Sequence, residues 1–369
     1  MNAAGQEKEP KIKQREAFYC NVKLLLMFMV VYGHMIEGMI DSVEPLMQVY
    51  RVIYSVHMPL FLFLSGLFLK SRAGCLRQAK QMLRYYVTCQ TAVVILGRAA
   101  GEQLRLDTPV WILWYLLSLA CMAVVGWCWY AATERWQRLN NGAVKTALLI
   151  LAVLLACEAG KWAFVGRWLS LSRTICFLPY FLAGMFCPAG VNWKRRSIRL
   201  IGLVGLGVYL LLYLGPGRDI PTEMFYQADS YGELVFFNAG DGRMAIHVLM
   251  RSNYDILNIE QGPFLRLTCM MMAVALGLGL MTLVSERRFP FSKLGADTVG
   301  IYLLHAPLVK LPEQMALPIH IWIALSPFLA AYVIFLLYKL FQWRRSLYSL
   351  TTVKKEERGT ETETNPCQT

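Results

Sequence analysis

Apolar residues gather into runs of membrane length, separated by short polar stretches. Ten such runs are read, at about 22–40, 50–69, 82–100, 110–132, 144–159, 174–188, 198–215, 265–285, 297–311 and 320–342. A straight helical crossing of a bilayer takes about 20 mostly apolar residues. The pattern therefore predicts an all-α fold, a polytopic membrane helix bundle of about ten transmembrane helices, with eight spans as the alternative count. Residues 1–21 read as an N-terminal lead, 22–345 as the membrane domain and 346–369 as a tail. The tail is polar and of mixed charge, and its composition reads as disordered. One loop, 216–264, is long. It carries acids and the aromatics Phe225, Tyr226, Tyr231 and Tyr254, which favour an ordered external cap over a linker.

Lys and Arg are unevenly shared between alternate loops. One side holds Lys8, Lys11, Lys13 and Arg15, then Lys70 to Arg84, Arg135 to Lys145, Lys194 to Arg199, Arg287 to Lys293 and the basic residues of the tail. The other side holds fewer, and they are scattered. Cytoplasmic loops carry this excess, so both termini are expected in the cytoplasm, with the protein in the cytoplasmic (inner or plasma) membrane. The first apolar run lacks a small-residue cleavage site and is expected to stay as a signal anchor.

Composition narrows the class. The chain is 56% hydrophobic and 17% charged, with a formal net charge of +13. A charge of that size raises nucleic acid as a partner. Its placement in short loops between spans points to membrane orientation instead, and no nucleic acid is expected. The 10 cysteines lie mostly inside apolar runs with no CxxC pair, and read as small buried hydrophobes. No HExxH or similar spacing appears, so no metal is expected. A GxSxG elbow is also absent.

Candidate chemistry sits where polar groups interrupt the runs. Lys23 and His34 are eleven residues apart in the first run, which puts them on one helix face about 16 Å apart along the axis. Ionisable groups inside a span usually face a bundle interior or a wet cavity. Lys23, just inside the cytoplasmic boundary, is placed to hold a phosphate-bearing donor, or else snorkels to lipid. His34 is a candidate general base. Glu37, one turn on, is placed to hold its tautomer, or is simply an interfacial acid. His57 lies in Arg51-Val-Ile-Tyr-Ser-Val-His57-Met-Pro59, with Pro59 set to kink the helix. Counted from opposite faces, His34 at about 18 Å and His57 at about 9 Å reach a similar depth in the outer half of the membrane. His305, in Gly300-Ile-Tyr-Leu-Leu-His305, falls about 12 Å deep, behind Asp297 as a helix N-cap. Arg173 opens the sixth run and is placed to clamp an anionic or carbonyl oxygen at the outer mouth. His247 and His320 read as solvated.

Five stretches together resemble the acyltransferase-3 superfamily of integral membrane acyltransferases, and within it the fucose 4-O-acetylase-like branch. They are Lys23-x10-His34, His57-Met-Pro-Leu-Phe-Leu-Phe-Leu-Ser-Gly66, Trp111-Ile-Leu-Trp114, Ser172-Arg173…Leu178-Pro179, and Leu294-Gly295…Tyr302-Leu-Leu-His305. The resemblance implies ten spans and transfer of an acyl group, usually acetyl, from cytoplasmic acyl-CoA (acetyl-CoA) as co-substrate. The acceptor it implies is a sugar of an exported glycan or a lipid-linked precursor. The resemblance implies donor handling and catalysis for Lys23 and His34; the reading of the polar positions adds Glu37, His57, Arg173 and His305 to the candidate catalytic set. An aspartate often precedes the lysine by two residues in this branch; here Asn21 stands there. A glycan or lipid exporter without acyl-transfer chemistry is the rival reading, since transporters also carry intramembrane histidines.

Overall fold

The computed structural model of the protein describes residues 3–162, 168–188, 190–215, 220, 222–226, 231, 262–296, 298–310 and 318–362. Among these the fold is all-α, a polytopic helix bundle, with no strand. The helices are α1 (Ala3–Ile36), α2 (Glu44–Phe68), α3 (Arg72–Ala99), α4 (Trp114–Arg135), α5 (Gly142–Glu158) and α6 (Leu171–Phe186). They continue with α7 (Arg196–Leu214), the short α8 (Glu223–Tyr226), α9 (Gly262–Leu283), α10 (Thr298–Lys310) and α11 (Ile319–Thr362). Local signals set several ends. Ser71 and Asn141 each accept a backbone N–H from three residues on, as N-caps of α3 and α5. Pro45 lies in the first turn of α2, where its missing N–H costs nothing.

Each apolar run carries a helix. Eight described helices are long and apolar enough to cross a membrane. The two runs outside that set have physical reasons. The first half of α3 carries Arg72, Arg77, Lys80 and Arg84, and α10 has only 13 residues. The composition of the tail reads as disordered, yet α11 runs on to Thr362. No Gly or Pro occurs between Pro327 and Gly359, and extending a formed helix costs far less than starting one. Asp297, His247 and most of loop 216–264 lie outside the described residues. His320 is exposed, as expected.

The chain divides into two compact units, Met1–Ser42 with Ser285–Thr369, and Val43–Val284. In the first, α1 packs against α10, α11 and the 3₁₀ turn Pro290–Ala296. In the second, α2 packs on α6, α3 on α4, α5 on α6, and α7 on α9. Gly66 and Gly184 set the α2–α6 crossing. A Cβ on Gly66 would strike the Phe181 carbonyl, and one on Gly184 would strike the Phe63 carbonyl. Small residues let membrane helices approach this closely. Gly184→Val is expected to destabilise the protein by about 1–3 kcal/mol through overpacking. Gly207, with open space around its Cα, is the control. Thermal unfolding in detergent should show a lower Tm for Gly184→Val and none of that loss for Gly207→Ala.

Two basic loop residues close helix ends. The Lys70 ammonium donates to the carbonyls of Gly184, Met185 and Cys187 at 2.7–2.9 Å, past the end of α6. Lys194 donates to the carbonyls of Thr282 and Val284 at the end of α9. Cations at helix C-termini satisfy carbonyls that have no partner in the helix. Burial holds the Lys70 ammonium below the usual lysine range. The nine described cysteines are all free thiols.

Candidate active site

The first unit gathers three of the sequence candidates. His34 lies in the last turn of α1, and Glu37 opens the 3₁₀ turn Glu37–Met39 that ends it. His34 Nδ1 lies 3.4 Å from Glu37 Oε2, with both side chains partly buried. His305 comes from α10, and its ring stacks on that of His34 with centroids 5.5 Å apart and planes 27° from parallel. His305 is fully buried, and its Nδ1 lies 2.6 Å from the Tyr302 carbonyl. A carbonyl only accepts, so Nδ1 carries the proton, and Nε2 of the neutral ring is a lone pair. That Nε2 is buried and has no hydrogen-bond partner among the described residues. The Tyr302 ring lies 5.7 Å from that of His305. Lys23 shares the α1 face with His34, three turns away, and is half-buried. Because α1 is helical without a break from Ala3 to Ile36, the single-face geometry of Lys23 and His34 holds.

Asn21 does something the sequence did not suggest. Its Nδ2 donates to the carbonyls of Ser285 and Arg287, both at 2.9 Å. Its Oδ1 accepts from the Ser292 hydroxyl at 2.6 Å, and that hydroxyl in turn accepts the Phe289 N–H. One residue back, the Cys20 carbonyl lies against Gly295, where a Cβ would collide with it. The amide thus stitches α1 to the segment that leads into α10. It fixes the register of the helix that carries Lys23 and His34 against the helix that carries His305.

The second unit holds His57 and Arg173, in a row of aromatic side chains. His57 is 3% exposed, and its Nδ1 lies 2.8 Å from the Ile53 carbonyl. As with His305, Nδ1 is therefore the donor, and Nε2 of the neutral ring accepts. The Tyr54 ring meets His57 edge-on at 4.8 Å and Tyr226 at 5.4 Å. Arg173 Nε donates to the Tyr226 carbonyl at 3.3 Å, and its guanidinium lies 4.8 Å over the Trp114 ring. Tyr226 belongs to α8, from the loop 216–264. The hydroxyls of Tyr50 and Tyr226 lie 3.0 Å apart, and Arg51 donates to the Ile220 carbonyl at 2.8 Å, so this part of the loop is fastened to the start of α2.

A further cation escaped the sequence reading. Arg266 of α9 is 1% exposed, donates to the Ala156 carbonyl and to Cys176 Sγ, and lies 4.7 Å over the Tyr231 ring. The Tyr231 hydroxyl donates to the Cys157 carbonyl at 2.5 Å, and the ring fills the space beside Gly160 and Gly262. Arg266 lies inside an apolar run, the same signal that marked His34. Its contacts tie α5, α6 and α9 together.

Compared with known protein families, residues 19–340 match the acyltransferase-3 model, described as an acyltransferase domain. The matched range takes in every residue of both groups described above. Neither the curated proteins nor the solved structures contain a match to the chain.

Proposed function

We propose, for a chain that belongs to the acyltransferase-3 family, a specific reaction for this integral membrane acyltransferase. It moves an acyl group, acetyl in the first instance, from cytoplasmic acyl-CoA to a sugar hydroxyl of an exported glycan or lipid-linked precursor. His34 is the general base. The reading takes the fucose 4-O-acetylase-like branch as its model for this reaction, and the cytoplasmic membrane with both termini inside as its setting.

The observation that carries the proposal is the stacked pair of His34 and His305, with Glu37 at the Nδ1 of His34. A sugar hydroxyl attacks a thioester poorly near neutral pH, so a base must take its proton during attack. With Nδ1–H turned to Glu37, His34 Nε2 takes that proton. The hydroxyl oxygen bonds to the thioester carbon, the C–S bond breaks, and the thiolate of coenzyme A leaves with the proton returned from the imidazolium. Glu37 stabilises the imidazolium in between. The buried lone pair on His305 Nε2 accepts the acceptor's hydrogen bond and orients it. The Tyr302 hydroxyl supplies the oxyanion donor. Lys23 holds a phosphate of the donor. Three helical turns, about 16 Å, separate it from His34, a span that the extended pantetheine arm of coenzyme A covers.

Proteoliposomes given acetyl-CoA labelled in the acetyl group test the reaction. Label is expected on a saccharide through an ester that mild base removes, and none on the protein. Label trapped on a serine or cysteine would replace direct attack with a covalent route. No label transfer to any alcohol would remove the proposed reaction.

A further inference from the structure

The segment that leads into α10 in the first unit has an outer side that the chemistry of His34 does not use. It reads Arg287-Arg288-Phe289-Pro290-Phe291-Ser292-Lys293. Its side chains sort into two sets. Ser292 is buried and holds Asn21, and Leu294 just after it is buried too. Arg287, Arg288 and Lys293 are exposed, and so are Phe289 at 48% and Phe291 at 62%. No ion pair, side-chain hydrogen bond or ring contact joins these five side chains to a described residue. The level of the segment is set by α1. Asn21 donates to the carbonyls of Ser285 and Arg287, and the Cys20 carbonyl lies against Gly295. Cys20 and Asn21 stand where the polar lead of α1 gives way to its apolar run. The segment therefore lies at a membrane boundary, the layer where headgroups meet the ends of acyl chains.

From this placement we infer that segment 287–293 is a binding surface for anionic phospholipid of the adjoining leaflet. Arg287, Arg288 and Lys293 hold headgroup phosphates, which arginine meets with two parallel N–H donors. Phe289 and Phe291 enter the boundary layer beside them, as apolar rings do on segments that lie at a membrane surface. Glu286, half-buried, is the acid of the segment and leaves its net charge positive. A loop that only sets orientation needs basic residues. It needs neither two exposed phenylalanines nor a backbone pinned to a helix, and this segment has both. A free phosphate would match the cations and leave the rings in water. The lipid supplies the charge and the apolar phase together. Because Asn21 and Ser292 fasten the segment to α1, lipid held there also steadies the packing of α1.

The test uses the full-length protein in nanodiscs of phosphatidylcholine, with and without phosphatidylglycerol. Native mass spectrometry follows the lipid that stays bound on release. The wild type is expected to retain phosphatidylglycerol, and the triple variant Arg287→Gln, Arg288→Gln, Lys293→Gln to hold it about tenfold more weakly. In thermal unfolding, phosphatidylglycerol should raise the Tm of the wild type, by less at high salt, and should raise that of the triple variant little. Phe291→Ser keeps the cations and should also weaken retention. Glycerol 3-phosphate, a phosphate without chains, should leave the Tm unchanged. The inference is overturned if the triple variant retains phosphatidylglycerol as the wild type does. It is also overturned if glycerol 3-phosphate raises the Tm as the lipid does, which would make this a phosphate site. A triple variant that keeps the lipid and loses binding of coenzyme A would overturn it as well, by assigning the cations to a nucleotide. None of these readouts needs turnover, so the surface is tested apart from the proposed reaction.

Discussion

His34→Gln is expected to lower kcat for acyl transfer by about 10²- to 10⁴-fold, the range that a positioned general base contributes. KM for acyl-CoA should change little, because Lys23, three turns away, is untouched. Glutamine keeps the polarity and much of the volume of histidine but takes no proton at working pH. Glu37→Gln makes a sharper comparison. It leaves a hydrogen-bonding group 3.4 Å from His34 Nδ1 and removes only the charge that steadies the imidazolium, so its loss should be smaller than that of His34→Gln. Stopped-flow assays of coenzyme A release with a saturating acceptor would measure both. An unchanged kcat in His34→Gln would remove histidine base catalysis from the account.

Asn21→Asp is expected to produce the largest structural effect. Asn21 spends both amide protons on the carbonyls of Ser285 and Arg287 and its oxygen on the Ser292 hydroxyl. Aspartate is nearly isosteric but has no proton to give when ionised. Its second oxygen would face two carbonyl oxygens at 2.9 Å, where the amide nitrogen now lies. Losing two hydrogen bonds, one part-buried and one exposed, costs about 0.5–1.5 kcal/mol each, and the repulsion between the carboxylate and the carbonyl oxygens adds to it. The hydrogen bonds alone therefore account for a loss of about 1–3 kcal/mol. Thermal unfolding at pH 8 would show this as a lower Tm than wild type. Activity should fall as well, because the same stitch sets α1 against the segment that leads to His305. An aspartate variant as stable as the wild type would remove the clamp.

These two positions show how much could be read from the chain. The pairing of Lys23 and His34 on one face follows from 100° per residue along an unbroken helix, and needs no tertiary information. The helices stand where the apolar runs stand, because membrane length and hydropathy are local properties. His305 could be marked as an intramembrane histidine, but its stacking on His34 could not, since it depends on how α1 and α10 pack. The role of Asn21 was out of reach for the same reason: its partners lie 264 to 271 residues away. For Asn21 the family comparison pointed toward the lysine two residues on. The structure shows the amide committed to the 285–292 segment. The course of α11 beyond residue 345 was missed because composition describes the average polarity of a segment. It does not describe the ease with which an existing helix extends.

Export of a glycan would use the same intramembrane histidines without acyl transfer, and the two accounts separate in the cell. Mass spectrometry of the surface glycan from cells with the wild-type protein, and from cells with His34→Ala, is the most direct test. The account predicts a glycan present in both, with the added mass of one or more acyl groups only in the wild type. A glycan absent from the surface of the His34→Ala cells, or one that keeps its acyl groups there, would contradict it.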